Sequence, residues 1–169
     1  MNKNDLRYLK TEQLLRDSYF RLKKKNKDKR IKISDLCKEA MVNKTTFYYH
    51  YETIEDFEKQ VCYEEISAAL KNCESLRDIF NDTENAVNEL VDVFTENKKE
   101  FAVLFSGDTY SLVQAVEEFL LSIFIDEASS PEEMIKIKFA VGGASRVLIE
   151  SNSELTRKIL LDLLCKVVT

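Results

Sequence analysis

Within eight residues, from Asn43 to His50, the chain places an amide, an ammonium, two hydroxyls, two phenols and its single imidazole. The order is Asn43, Lys44, Thr45, Thr46, Phe47, Tyr48, Tyr49, His50, with Tyr51 following. These groups are hydrogen-bond donors of the kind that meet phosphate oxygens and the edges of bases. On a short helix beginning near Lys44, the first residues would also benefit from the free N–H groups and dipole of the helix start, which favour anions. Core packing is the competing explanation for an aromatic cluster, and it is the expectation for Phe47 and Tyr51. Tyr48, Tyr49, His50 and Tyr51 cannot all point inward from one helix, so some must be exposed. Exposed tyrosine beside Lys44 and Thr46 is better explained by binding.

Other chemistries find little support. Cys37, Cys62, Cys73 and Cys165 show no CxxC spacing, so a Cys/His zinc site with His50 would have to be assembled from scattered residues. Buried free thiols in a reducing cytoplasm are the expectation. No paired-carboxylate motif and no Gly-rich phosphate loop is present, so no enzyme, metal or cofactor is expected. The apolar runs are too short for a membrane helix and the first ten residues lack a signal-peptide core, which points to a cytoplasmic protein.

The net charge of −5 conceals a division. Residues 1–51 carry 14 Lys and Arg against six Asp and Glu, a net of +8, and the remaining 118 carry 11 against 24, a net of −13. A basic head on an acidic body is the electrostatic footprint of a phosphate-binding surface, although a solvated basic face is the commoner cause of such charge.

The elements that must position the cluster follow from pattern. With 33% charged residues, three Gly and one Pro in 169 residues, the composition predicts an all-α chain. A first helix is expected over about 11–25, capped by Thr11, with Leu15, Tyr19 and Leu22 inward. Residues 23–30 read as an exposed basic loop. A second short helix covers Ile33 to Ala40, Met41-Val42-Asn43 makes a turn, and a third runs from Lys44 to about His50. Thr53 with Asp56 has the form of a capping box that opens a fourth helix, extending to about Cys73. Two short helices joined by a tight turn and braced by a longer one make a helix-turn-helix. The expected domains are a DNA-binding head over 1–52 and a helical regulatory and dimerisation body over 53–169.

The stretch from Ile33 to Tyr51, followed by the Thr53 cap and Phe57, resembles the DNA-binding domain of TetR-type transcriptional regulators. The likeness spans about residues 8–60, and the run Thr46-Phe47-Tyr48-Tyr49-His50-Tyr51 is its most specific part. The resemblance implies an all-helical two-domain homodimer that binds a palindromic operator in double-stranded DNA, more often as repressor than activator. It implies DNA contacts at Thr46, Tyr48 and His50, with Lys44 and Thr45 near base edges. Asn43, Tyr49 and Ser34 complete the candidate set. Two departures stand out. Met41 occupies the turn position where the family usually has Gly, a cost of about 1 kcal/mol if a left-handed backbone is kept, so the turn is expected to be slightly reshaped. Ile54 stands where a phosphate-binding Lys is frequent, and the basic 23–30 loop is expected to compensate. A head that no longer reads DNA, in a protein-interaction coregulator, is the alternative that these departures raise.

In the body, one apolar stripe is expected over 86–105 and another over 110–125. Ser130-Pro131-Glu132-Glu133 is a strong helix start, and a final helix opens at Ser153. Phe94, Phe101, Phe105, Tyr110, Phe119 and Phe139 are the candidates to line a small-molecule effector pocket, against plain core packing; a protein effector is the competing means of control. Gly142 and Gly143 invite close helix approach, and with Leu155, Ile159 and Leu163 they suit a four-helix bundle across a two-fold axis. The resemblance implies the same dimer, made by the last two helices.

Overall fold

A computed structural model describes residues 6–26, 30–78, 81–104, 106, 109–124, 130–150 and 154–168. Among them all regular structure is helical. The elements are α1 (Leu6–Lys25), α2 (Ile33–Ala40), α3 (Lys44–His50), α4 (Ile54–Leu70), a 3-10 turn (Glu74–Asp78), α5 (Thr83–Glu96), α6 (Lys98–Leu104), α7 (Thr109–Phe124), α8 (Pro131–Glu150) and α9 (Glu154–Val168). None is long and apolar enough to cross a membrane.

The described residues of Met1–Val61 and Glu100–Gly107 form one compact unit, and those of Cys62–Lys99 and Asp108–Thr169 form a second. The first unit thus extends past the expected boundary at residue 52. The reason lies in the first turns of α4, where Ile54, Phe57 and Val61 share one face and are all buried. The core of this unit is aromatic. Phe57 meets Tyr19, Phe47 and Tyr51 with ring centroids 5.4, 6.0 and 5.0 Å apart, all in edge or steeply tilted geometry. Leu15, Leu22, Ile31, Leu36, Cys37, Ala40, Phe101 and Leu104 are also buried in this unit.

Two helix starts, at Thr53 and Ser130, follow the sequence signals; the Asn43 cap was not read from sequence, and the ends of three other helices depart from expectation. Thr53 and Asp56 close a reciprocal box: the Asp56 amide donates to Thr53 Oγ1 at 3.0 Å, and the Thr53 amide donates to Asp56 Oδ2 at 3.0 Å. Ser130 and Glu133 do the same at 3.2 and 2.9 Å. Asn43, extended at φ −79°, caps α3 by accepting from the Thr46 amide at 2.8 Å. Thr11, by contrast, caps nothing. Its hydroxyl donates to the Arg7 carbonyl one turn back, because α1 begins five residues earlier in a Gly- and Pro-free stretch that continues the helix. The stripe over 86–105 is likewise two helices. Asn97 ends α5 by donating its amide N–H and its Nδ2 to the same Val93 carbonyl, at 3.0 and 2.9 Å. The fourth helix stops at Leu70, and Cys73 is buried in the turn beyond. The Ser153 start signal lies outside the described residues.

Met41 keeps the left-handed geometry that the turn wants, at φ 55° and ψ 36°, so the turn is not reshaped. The Val42 amide donates to the Cys37 carbonyl at 2.9 Å, which closes the end of α2. The Met41 side chain is 91% exposed and contributes no packing to offset its backbone cost. Met41→Gly should therefore stabilise the chain by about 0.5–1 kcal/mol, the relief of left-handed strain being partly offset by a freer unfolded chain. A raised denaturant midpoint at unchanged slope checks this, and a lowered midpoint contradicts it.

The second unit holds the rest of α4, the 3-10 turn, α5, α7, α8 and α9. α8 lies against α7 and α9, and α9 also lies against α5. Its core holds Val87, Leu90, Val91 and Phe94 of α5, Val116 and Leu120 of α7, Val141 and Ala144 of α8, and Leu160 and Leu164 of α9. Arg157 ties α9 to α5, donating to Asn88 Oδ1 at 3.1 Å and Asp92 Oδ1 at 2.5 Å. Cys37, Cys62 and Cys73 are buried and form no disulfide; burial, ahead of the nearby Glu89 charge, pushes the Cys73 thiol up to about 11. The Cys165 side chain lies outside the described residues.

Candidate nucleic-acid interface

The short helix α3 has two faces with different chemistry. Phe47 is fully buried and anchors one of them. Lys44, Thr45, Tyr48 and Tyr49 are all exposed, and their positions in the helix put them within one continuous arc of the opposite side. Tyr48 and Tyr49 are each 56% exposed, a large amount for aromatic rings. The arc offers an ammonium, a hydroxyl and two phenols on a surface fixed from behind by a rigid core.

The remaining candidates have other duties. Asn43 uses its side-chain oxygen for the cap and also accepts from the Thr46 hydroxyl at 2.9 Å. Thr46, half-buried, is thus oriented by Asn43 and braces the start of α3. Ser34 is exposed at the start of α2, its hydroxyl 3.5 Å from Asp35 Oδ1.

His50 departs furthest from expectation. Its side chain is only 3% exposed, with Nδ1 2.7 Å from Glu12 Oε1. The Tyr8 ring stacks on it at 4.0 Å between centroids. The other Glu12 oxygen accepts from the Tyr51 hydroxyl at 2.7 Å. The imidazole is therefore a buried tie between α3 and α1 rather than an open donor for phosphate. Burial, and then the Glu12 carboxylate, raise the Tyr8 phenol above its ordinary range. Tyr8 and Glu12 were not foreseen as part of this site. The available signal was their four-residue spacing, which puts an aromatic and an acid on one face of α1.

Among the described cations expected to help α3, Lys23, Lys25 and Arg30 have partners within the unit. α1 reaches Lys25, so Lys23, Lys24 and Lys25 are helical rather than part of a loop. Lys23 is buried, with Nζ 5.6 Å from the centre of the Tyr19 ring. Arg21 and Lys25 both reach Glu39, at 3.0 and 3.7 Å, and the Arg21 hydrogen bond holds the Glu39 carboxyl below its usual range. Arg30 pairs with Glu55 on the first turn of α4. Residues 27–29 lie outside the described residues. Ile54 is buried and serves the core.

A second candidate surface lies on α8 and α9. Ile135, Phe139, Gly143 and Val147 recur every four residues along α8 and are exposed, Phe139 at 73%. Leu155, Ile159 and Leu163 do the same along α9, at 67%, 46% and 52%. The two stripes belong to helices that pack together. The glycine pair divides between two tasks. A Cβ at Gly142 would stand 3.6 Å from Glu117 Oε1 of α7, so Gly142 faces its own unit, contrary to expectation; at Gly143 a Cβ would meet open space. Phe139 cannot line an internal pocket, because it points out of the unit. Phe94 and Phe101 are buried in different units, and Phe119 sits edge-on to Tyr63 at 6.4 Å. Phe105 and the side chain of Tyr110 lie outside the described residues. Among the described residues, no group of three His, Cys, Asp or Glu is placed to hold a metal ion.

No protein-family model matches the sequence, and no curated protein matches it either.

Proposed function

We propose that this chain is a DNA-binding transcriptional regulator of TetR type that binds a palindromic operator as a homodimer and acts as a repressor. The observation that carries the reading is the exposed arc of Lys44, Thr45, Tyr48 and Tyr49 on a short helix anchored by the buried Phe47. Tyr48 and Tyr49 lean on Phe47 and His50 by one edge yet stay 56% exposed beside a lysine; on the proposed reading their open faces meet phosphates and base edges. The +8 charge of residues 1–51 supplies the long-range attraction. The apolar stripes of α8 and α9 support the homodimer, because burying seven large and small apolar positions against a second copy would complete a four-helix bundle. Two heads related by a two-fold axis would then read two half-sites about one helical turn apart. An effector, small molecule or protein, would act by favouring one arrangement of the paired chains over another.

The test is a gel shift on DNA flanking the chain's own gene, with wild type and with Lys44→Ala plus Tyr48→Phe. The double variant removes one charge and one phenol hydroxyl from the exposed arc. It should lose about tenfold to hundredfold in operator affinity while remaining dimeric. Unchanged affinity in the double variant would show that α3 is not the reading surface. The coregulator alternative predicts no specific retardation even by wild type.

A further inference from the structure

We propose that Glu12 is a positioning residue for DNA recognition: its carboxylate holds the His50 imidazole and the Tyr51 hydroxyl together and so fixes the pose in which α3 presents its exposed arc. The proposal rests on the DNA-binding reading and adds to it a residue on a different helix. The geometry is that of a two-handed clamp. One carboxylate oxygen takes His50 Nδ1 and the other takes the Tyr51 hydroxyl, both at 2.7 Å, across 38 and 39 residues of sequence. A carboxylate only accepts, so this arrangement places the imidazole proton on Nδ1. Tyr8 closes the clamp from above by stacking on His50. Tyr49 stands edge-on to the same ring at 5.7 Å, so an exposed reading residue leans directly on the clamped imidazole.

The charge of Glu12 separates this role from its alternatives. An acid in a basic head opposes DNA binding at long range, so deleting a bystander acid should strengthen affinity for any duplex. Loss of a positioning residue has the opposite sign for the selected duplex alone. The Glu12 side chain is 24% exposed and its partners are the buried His50 imidazole and the half-buried Tyr51, so both hydrogen bonds are largely shielded.

The experiment uses the full chain and a duplex that wild type selects from a randomised pool, with a scrambled duplex of equal length as reference. Glu12→Ala should weaken binding to the selected duplex by about tenfold or more, and leave the scrambled duplex unchanged or tighter. Glu12→Gln should recover most of the loss, because its amide oxygen still accepts from Tyr51 and its NH2 can face the other imidazole tautomer. Tyr51→Phe keeps volume and charge and should cost about threefold on the selected duplex only. If Glu12→Ala does not fold, Tyr51→Phe decides: a selective loss supports the clamp and unchanged affinity overturns it. A folded Glu12→Ala that binds the selected duplex as well as wild type also overturns it. If wild type selects no duplex at all, the DNA-binding reading itself fails and the clamp has no recognition to serve.

Discussion

Phe47→Ala should destabilise the chain by about 3–5 kcal/mol and abolish DNA binding. Phe47 is fully buried, and its ring meets Phe57 at 6.0 Å and Tyr51 at 5.8 Å. Truncation removes the apolar area and leaves a cavity in an aromatic cluster whose rings have few ways to collapse. The loss is comparable with the whole stability of many small domains, so the first unit is expected to be largely unfolded at 37 °C. Phe47 is also the only fully buried side chain of the seven-residue α3, so the exposed arc loses its mounting at the same time. Amide hydrogen exchange measures this: protection should vanish from α2 and α3 while α8 and α9 retain theirs. Phe47→Leu, which keeps most of the volume, should retain protection. Uniform protection in Phe47→Ala would mean that α3 is held by something other than this ring.

The second large effect concerns association. Phe139→Glu combined with Ile159→Asp places a carboxylate in the middle of each exposed stripe of α8 and α9. In a two-fold interface every substitution occurs twice, and each buried unpaired charge costs about 2 kcal/mol or more. On the proposed dimer the expected change is a dissociation constant raised by at least about a thousandfold. Since all the mutated side chains are exposed in the single chain, its own fold should be unaffected. Sedimentation equilibrium checks both points. Wild type should sediment as a dimer and the variant as a folded monomer at micromolar concentration. A variant that remains dimeric would place the interface elsewhere.

Much of the fold was legible from short-range signals. The caps at Thr53 and Ser130 are satisfied by partners three residues away, so sequence alone specifies them. The alternation of buried Phe47 with exposed Tyr48 and Tyr49 also follows from helical spacing. What could not be read is long-range. The pairing of His50 with Glu12 joins residues 38 apart, and nothing local marks the imidazole as buried rather than open. The same limit applies to the basic residues in the last turns of α1 and just beyond it. Their composition suggests a free cationic loop, but Glu39 and Glu55 are brought to Arg21, Lys25 and Arg30 only by folding. The glycine pair shows the finest division. Adjacent residues on a helix point about 100° apart, so one of them faces α7 and the other open space.

Met41 and Ile54 looked from sequence like damage to a DNA-reading head. Each has a local account that leaves α3 intact. Met41 adopts the left-handed angle with its side chain in solvent, and Ile54 fills the core beside Phe57's helix turn. Neither displaces Lys44, Thr45, Tyr48 or Tyr49 from the surface.

The salt dependence of binding to a selected duplex tests the central claim most directly. For wild type between 50 and 200 mM salt, the logarithm of the association constant should fall linearly with the logarithm of salt concentration on the proposed reading. A slope of about −4 or steeper is expected, the value for four or more phosphate contacts, with the selected duplex favoured over a scrambled one at every point. A folded dimer that shows no preference between the two duplexes, or a slope near zero, would contradict a DNA-reading function.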